Sequence, residues 1–184
     1  MSLVDHTLFG TINKVDIAID RLRMFEPEGG YHLAYSGGKD SDTILTLAKM
    51  AGVKFEAVYN LTTVDPPELV HHVKTHPEVI VSRPEKTMWQ LIVENGMPPL
   101  RQARFCCRIL KERAGGGKLV ITGVRWEESN QRKNRQITER CYNDHTKSFL
   151  HPIIDWGKDD IWEFLKGYGV KYCGLYDEGI ERIG

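Results

Sequence analysis

Apolar positions recur at helical spacing over residues 11–25, where Ile12, Val15, Ile19, Leu22 and Phe25 mark one face of an amphipathic helix. Glu28-Gly29-Gly30 breaks that pattern. His32-Leu33-Ala34-Tyr35 is a short apolar run and predicts a buried strand. Residues 41–51 predict a helix with Ile44, Leu45, Leu47 and Ala48 inward, and Lys54 to Tyr59 alternates into a second strand. Pro66 and Pro67 suit the start of a helix that Glu68 to His76 continue. Val79-Ile80-Val81 predicts a third strand, and Thr87 to Glu94 a helix stopped by Gly96 and Pro98-Pro99.

Beyond this point Arg104 to Arg113 predict a short basic helix, followed by a Gly115-Gly116-Gly117 break. Lys118 to Gly123 and Phe149 to Ile154 read as strands, and Trp156 to Gly167 as a helix with Ile161, Trp162 and Leu165 inward. Between those strands, residues 125–135 are polar and basic, which suits a loop over a ligand better than a core segment. Strands alternating with helices predict an α/β fold of three layers, α/β/α, around a mainly parallel sheet.

The length of 184 residues favours a single domain over 1–184. A chain of this size buries roughly 70% of its unfolded surface, so it folds without help from disulfides or metals. Its 25 Lys+Arg balance 25 Asp+Glu, which argues against a general nucleic-acid binder but leaves room for a local basic site. No apolar run is long enough to span a membrane, and no signal-peptide core opens the chain, so the expected location is cytoplasmic. Four cysteines in this length do not form a secreted disulfide framework.

The first strand runs into Ser36-Gly37-Gly38-Lys39-Asp40-Ser41 and then a helix. At a helix N-terminus the backbone N–H groups and the dipole favour an anion. Gly37 and Gly38 let the backbone approach it, Ser36 and Ser41 add hydroxyls, and Lys39 adds charge. The turn has neither the Walker spacing nor the three spaced glycines of the dinucleotide fingerprint. Asp40 is read either as a helix cap or as a group that orients a metal-bound pyrophosphate.

This six-residue motif resembles the PP-loop of the adenine nucleotide alpha hydrolase-like superfamily. Three further stretches resemble its phosphoadenylyl-sulfate (PAPS)/adenylyl-sulfate (APS) reductase branch. They are Asn60 to Glu68 with Thr63 and a Pro-Glu pair, Thr122-Gly123-Val124-Arg125 with Ser129 and Arg132, and Tyr176-Asp177-Glu178-Gly179 with Arg182-Ile183-Gly184. The resemblance implies that Thr63, Gly123, Arg125, Ser129 and Arg132 join the PP-loop residues in binding APS or PAPS. It also implies reduction of that nucleotide to sulfite, with electrons from a thioredoxin- or glutaredoxin-like thiol donor. Arginine suits such a ligand because its fork donates in pairs to phosphate and sulfate oxygens. Lys133 and Arg135 are expected at the surface, whereas Trp126 sits where it could cover the nucleotide.

Adjacent Cys106 and Cys107 can hardly form a relaxed disulfide, so the pair points to metal or redox chemistry. Arg104, Arg108 and Lys111 are expected to favour thiolates there. The stretch resembles the tandem pair that supplies two ligands of a 4Fe-4S cluster in APS reductases. The resemblance implies a second pair beyond Gly184, and on that basis the domain is expected to be C-terminally truncated. The family's nucleophilic cysteine lies in a C-terminal tail, so no catalytic residue is assigned within 1–184. Cys141 and Cys173 are read as structural. His71, His72 and His76 are read as a solvated helix face. Two other readings stay open: a PP-loop ATP pyrophosphatase or sulfurtransferase that adenylates its substrate, and a non-catalytic nucleotide-binding relative.

Overall fold

A computed structural model describes residues 3–7, 10–100, 104–111, 115–142 and 144–183. Glu112 and Arg113, the end of the predicted basic helix, lie outside them, as does Gly184 of the C-terminal signature. The sheet has six strands: β3 (Tyr31–Tyr35), β4 (Phe55–Asn60), β5 (Val79–Ser82), β6 (Leu119–Ile121), β7 (Thr138–Arg140) and β8 (Ser148–Leu150). Their order is β5-β4-β3-β6-β8-β7. Every pairing is parallel except β7 with β8. Helices α1 (Lys14–Met24), α2 (Lys39–Ala51), α3 (Pro67–Lys74), α4 (Met88–Asn95) and α5 (Lys158–Gly167) complete the α/β/α arrangement. Among the described residues no helix is long and apolar enough to cross a membrane.

The core forms where α1, α2 and α5 meet the sheet. Leu22, Leu33, Leu47, Ile121, Leu150 and Phe164 are fully buried there. Tyr31 spends its one polar atom well: its hydroxyl donates to Leu22 O at 2.7 Å and ties β3 to α1. Helix α2 carries buried residues almost all round, as a helix sandwiched between a sheet and two neighbouring helices must. It ends at Gly52, whose φ of 71° is the left-handed C-terminal turn that glycine adopts freely.

Several boundaries differ from the sequence pattern, each for a local reason. Residues 10–13 are not helical: Gly10–Asn13 form β2, paired antiparallel with β1 (Val4–Thr7), and Ile12 faces Asp5 across that hairpin. The Asn13 side chain accepts the Val15 N–H at 2.9 Å, and this cap starts α1 two residues after Ile12. Pro152 lacks the N–H that a ladder needs, so β8 ends at Leu150 instead of running to Ile154. Asp160 accepts the Gly157 N–H at 2.7 Å and starts α5 at Lys158, leaving Trp156 as a buried pre-helical wedge against Phe164. Trp162 is partly buried and packs edge-on to Tyr172 and Tyr176. The basic helix is a short π-type turn over Cys107–Lys111.

Gly37 ties the turn before α2 to α3. Its φ is 74°, and an added Cβ would lie 2.6 Å from Leu69 Cδ1 and 2.9 Å from Val73 Cγ2. Gly37→Ala should therefore lower stability by about 1–3 kcal/mol, from backbone strain plus overpacking. Urea denaturation of the two proteins measures this, and equal midpoints would contradict the close approach.

Candidate functional site

In a parallel sheet the place where strand order reverses leaves a crevice at the carboxyl ends of the strands. Here β4 and β5 lie on one side of β3 and β6, β8 and β7 on the other, so the crevice opens between β3 and β6. A cleft of about 370 Å³ occupies it. The turn after β3 supplies Ser36, Gly38, Lys39, Asp40 and Ser41, and the loop after β6 supplies Gly123, Arg125 and Arg132. Lys158, Glu181, Arg182 and the carboxylates Glu127 and Glu128 also line it.

Helix α2 starts at Gly38 with no side-chain cap. The helix therefore brings no cap side chain of its own to its mouth. Ser41 Oγ donates to Gly38 O at 2.8 Å, which folds that hydroxyl into the turn itself. Tyr176 OH accepts the Lys39 N–H at 3.0 Å, and burial pushes the tyrosine pKa up to about 12, so it stays a neutral phenol. Asp40 neither caps the helix nor faces solvent freely. Its carboxylate accepts Arg125 Nε–H at 2.7 Å, and Arg125 is only 4% exposed.

Lys39 is not a surface lysine. It is 6% exposed and its Nζ donates to Glu181 O at 3.1 Å. Burial lowers its pKa; Asp40 opposes that, while Arg125, Lys158 and Arg182 add to it. Burial likewise lowers the pKa of Arg132, with Arg182 and Arg135 adding to it. A crowd of cations held partly out of water is a place where a bound anion gains energy. The same cations are partnered by Glu127, Glu128 and Asp40: Arg125 Nη1 lies 3.3 Å from Glu127, and both Arg132 and Arg182 pair with Glu128.

Other residues expected in the site stand elsewhere. Thr63 does not line the cleft; it has a φ of 68° and its hydroxyl accepts the Met88 N–H at 2.9 Å, fixing the start of α4. Ser129 is exposed and holds its own turn by accepting the Arg132 N–H. Trp126 lies off the cleft, with its indole N–H donated to Arg135 O. Arg104 and Arg108 line a different hollow beside Asn95 and Met97. Lys158, Glu127 and Glu128 were missed because a charged residue in a loop or first helical turn looks like any solvated one in sequence.

Two smaller hollows lie on the β4 side of the turn, next to each other. One of about 190 Å³ shares Ala34 and Ser36 with the cleft and is walled by Val58, Tyr59 and Thr62. The other, about 230 Å³, holds Cys106 and Cys107 beside Met88, Leu69 and Leu110. Burial raises the Cys107 pKa, its neighbour Cys106 adds to that, and Lys111 and Arg104 do not outweigh them. The thiolate preference expected from the basic neighbours is therefore reversed at Cys107. Four thiolates hold an iron–sulfur cluster. Among the described residues Cys106 and Cys107 gather no further ligand, so on their own they do not fit one. Of the histidines, His71 is exposed as expected, but His72 and His76 are not. His72 is 7% exposed and meets the buried carboxylate of Asp42, and His76 is half-buried beside it.

Residues 30–184 match the family described as the phosphoadenosine phosphosulfate reductase domain. The adenosine 5'-phosphosulfate reductase of Oceanobacillus iheyensis is 30% identical over 111 residues, which is 56% of this chain and 45% of that protein. The chain spans less than half the length of the curated relatives it matches. A phosphoadenylyl-sulfate reductase from Candida auris, solved as a phosphate complex, superposes with a TM-score of 0.67 at 17% identity, over 91% of this chain and 87% of that one. The FMN adenylyltransferase of Candida glabrata, solved with FMN and an ATP analogue, superposes with a TM-score of 0.65 at 14% identity, over 93% and 60%. Both likenesses are of fold.

A raised pKa means that Cys107 is a thiol at neutral pH. Its alkylation by iodoacetamide, followed by peptide mass spectrometry, should be several-fold slower than in the unfolded chain. The rate should climb only above the ordinary thiol value of about 8.5. A half-maximal rate below that value would contradict the assignment.

Proposed function

Because the chain belongs to the phosphoadenosine phosphosulfate reductase domain family, we propose that it binds APS or PAPS with the phosphosulfate at the N-terminus of α2. The observation that carries this reading is the convergence of Lys39, Arg125, Arg132 and Arg182 on the glycine-capped start of α2 at the strand-order switch. Backbone N–H groups and the helix dipole supply part of the anion's stabilisation, and the guanidinium forks supply the rest. The adjoining hollow over Ala34 and Val58 suits the adenine, since it is mostly apolar and opens from the same turn.

The reaction proposed is reduction of the sulfonucleotide. A thiolate attacks sulfur, the S–O bond to the phosphate breaks, and the adenosine nucleotide leaves with that oxygen. A second thiol then attacks the thiosulfonate sulfur atom of the protein, releasing sulfite and leaving a disulfide. Two thiol electrons thus reduce the sulfur, and a thioredoxin- or glutaredoxin-like donor supplies the second thiol. Within this reaction the residues of the chain bind and orient. Lys39 and the arginines spread the charge of the leaving phosphate, and Tyr176 holds the turn. No cysteine lines the cleft among the described residues, so the attacking thiol is not assigned to one of them.

One feature favours a second reading. Asp40, Glu127 and Glu128 face the same cleft, and carboxylates there suit a nucleotide carried with a divalent cation. That reading is adenylyl transfer from ATP with release of pyrophosphate.

Calorimetry with APS, PAPS and ATP plus magnesium separates the two. Binding of either sulfonucleotide without ATP binding supports reduction, and ATP-dependent pyrophosphate release would sink it. Lys39→Ala should weaken nucleotide binding at least ten-fold, about 1.4 kcal/mol. Arg135→Ala should change it less than two-fold, about 0.4 kcal/mol, because Arg135 pairs with Glu139 outside the cleft. Equal small effects would mean that the cleft is not the anion site.

A further inference from the structure

We propose that Asp42, His72 and His76 form a binding site for one divalent transition-metal ion, with zinc the best match, which clamps the first turn of α2 to the end of α3. The candidate ligand atoms of all three lie within 4.8 Å of one another. His72 Nε2 stands 3.0 Å from Asp42 Oδ2, and His76 Nε2 stands 3.9 Å from Asp42 Oδ1. Two ligands of a tetrahedral zinc, each about 2.0–2.1 Å from the metal, sit roughly 3.3 Å apart. The observed separations straddle that value, so small side-chain shifts complete the site.

Three independent features point to a cation. The Asp42 carboxylate has a side-chain exposure of 0%, and among the described residues His72 and His76 are the groups able to carry positive charge within 4.0 Å of it. A buried carboxylate is costly unless it is paired or bound to metal. His76 Nε2 is buried and makes no hydrogen bond, although it faces that carboxylate. The surrounding groups also match the supports that metal ligands receive. Tyr35 OH donates to Asp42 Oδ1 at 2.5 Å, and the Glu78 carboxylate lies 3.7 Å from His76 Nδ1.

The sequence basis is simple. His72 and His76 are four apart, so both reach the same side of α3 and its C-terminal extension. Their rings stand 5.0 Å apart, nearly perpendicular. Asp42 comes from the first turn of α2, on the side turned away from the cleft. Imidazole with one carboxylate suits zinc and its neighbours better than magnesium or calcium. The site is separate from Cys106 and Cys107, which line another hollow.

Chelator-stripped protein dialysed against zinc and read by elemental analysis should hold about one ion per chain, with a raised Tm. His76→Ala should weaken zinc binding at least ten-fold, whereas Cys106→Ser with Cys107→Ser should leave it unchanged. Cobalt substituted into the unaltered chain should show visible ligand-field bands without a thiolate charge-transfer band, a readout that stands even if His76→Ala misfolds. Absence of bound zinc and cobalt, a thiolate band, or full retention of the ion by a folded His76→Ala chain would overturn the proposal.

Discussion

The geometry of the cleft depends on how closely other chain segments approach the start of α2. Three glycines permit it. A Cβ on Gly37 would strike Leu69, one on Gly38 would lie 2.6 Å from Ile183 O, and one on Gly123 would lie 3.0 Å from Asp40 Cβ. So α3, the C-terminal segment and the loop after β6 all pack within a side chain's thickness of one turn. Two of these segments, the C-terminal one and the loop after β6, wall the cleft together with Lys158 at the start of α5, whereas α3 backs the turn from outside it. Their positions follow from a steric limit, and the charges they carry are delivered to the helix mouth by that packing.

Those charges are arranged to be exchanged. Five basic and four acidic side chains line the described cleft; Lys39 and Arg125 are buried beside Asp40, whereas Lys158 and Arg182 pair with Glu181 and Glu128 but stay open to water. An incoming anion does not meet a mobile, fully hydrated set of arginines. It competes with Asp40, Glu127 and Glu128 for side chains already fixed in place, which reduces the ordering cost of binding. The carboxylates also reject weak anions, because a ligand must outbid an existing ion pair.

Much of this was legible in the sequence. The glycine-rich turn, the strand before it and the helix after it are local, so Ser36 to Ser41 can be read directly. Gly123, Arg125 and Arg132 follow a recognisable strand and reach the cleft as expected. What failed was long-range. Thr63 lies outside the cleft lining, and its hydroxyl accepts the Met88 N–H from 25 residues further along the chain. Lys158 and Glu181 are distant in sequence from the turn and pair with each other beside it, and no local pattern marks such residues. The histidines failed for the same reason. Their helical spacing was visible, but the carboxylate that they face is 30 residues away from His72 in the chain. Cys107 shows that charge counting misleads when burial is unknown, since desolvation there outweighs two nearby cations.

Asp40 and Asp42 show how one helical turn serves both ligand and core. Both sit in the first turn of α2, where the helix dipole favours negative charge. Two residues apart on a helix, they point to nearly opposite sides. Asp40 faces the cleft and orients Arg125; Asp42 faces inward to Tyr35 and His72. The dipole that stabilises both carboxylates would also favour an anion at the helix mouth, so the two would compete for the same potential. Each carboxylate has a different partner: Asp40 pairs with Arg125, and Asp42 is hydrogen-bonded by Tyr35 and His72. Whatever compensates Asp42 in the core therefore helps to set the field that the cleft presents, and a cation bound between α2 and α3 would strengthen it.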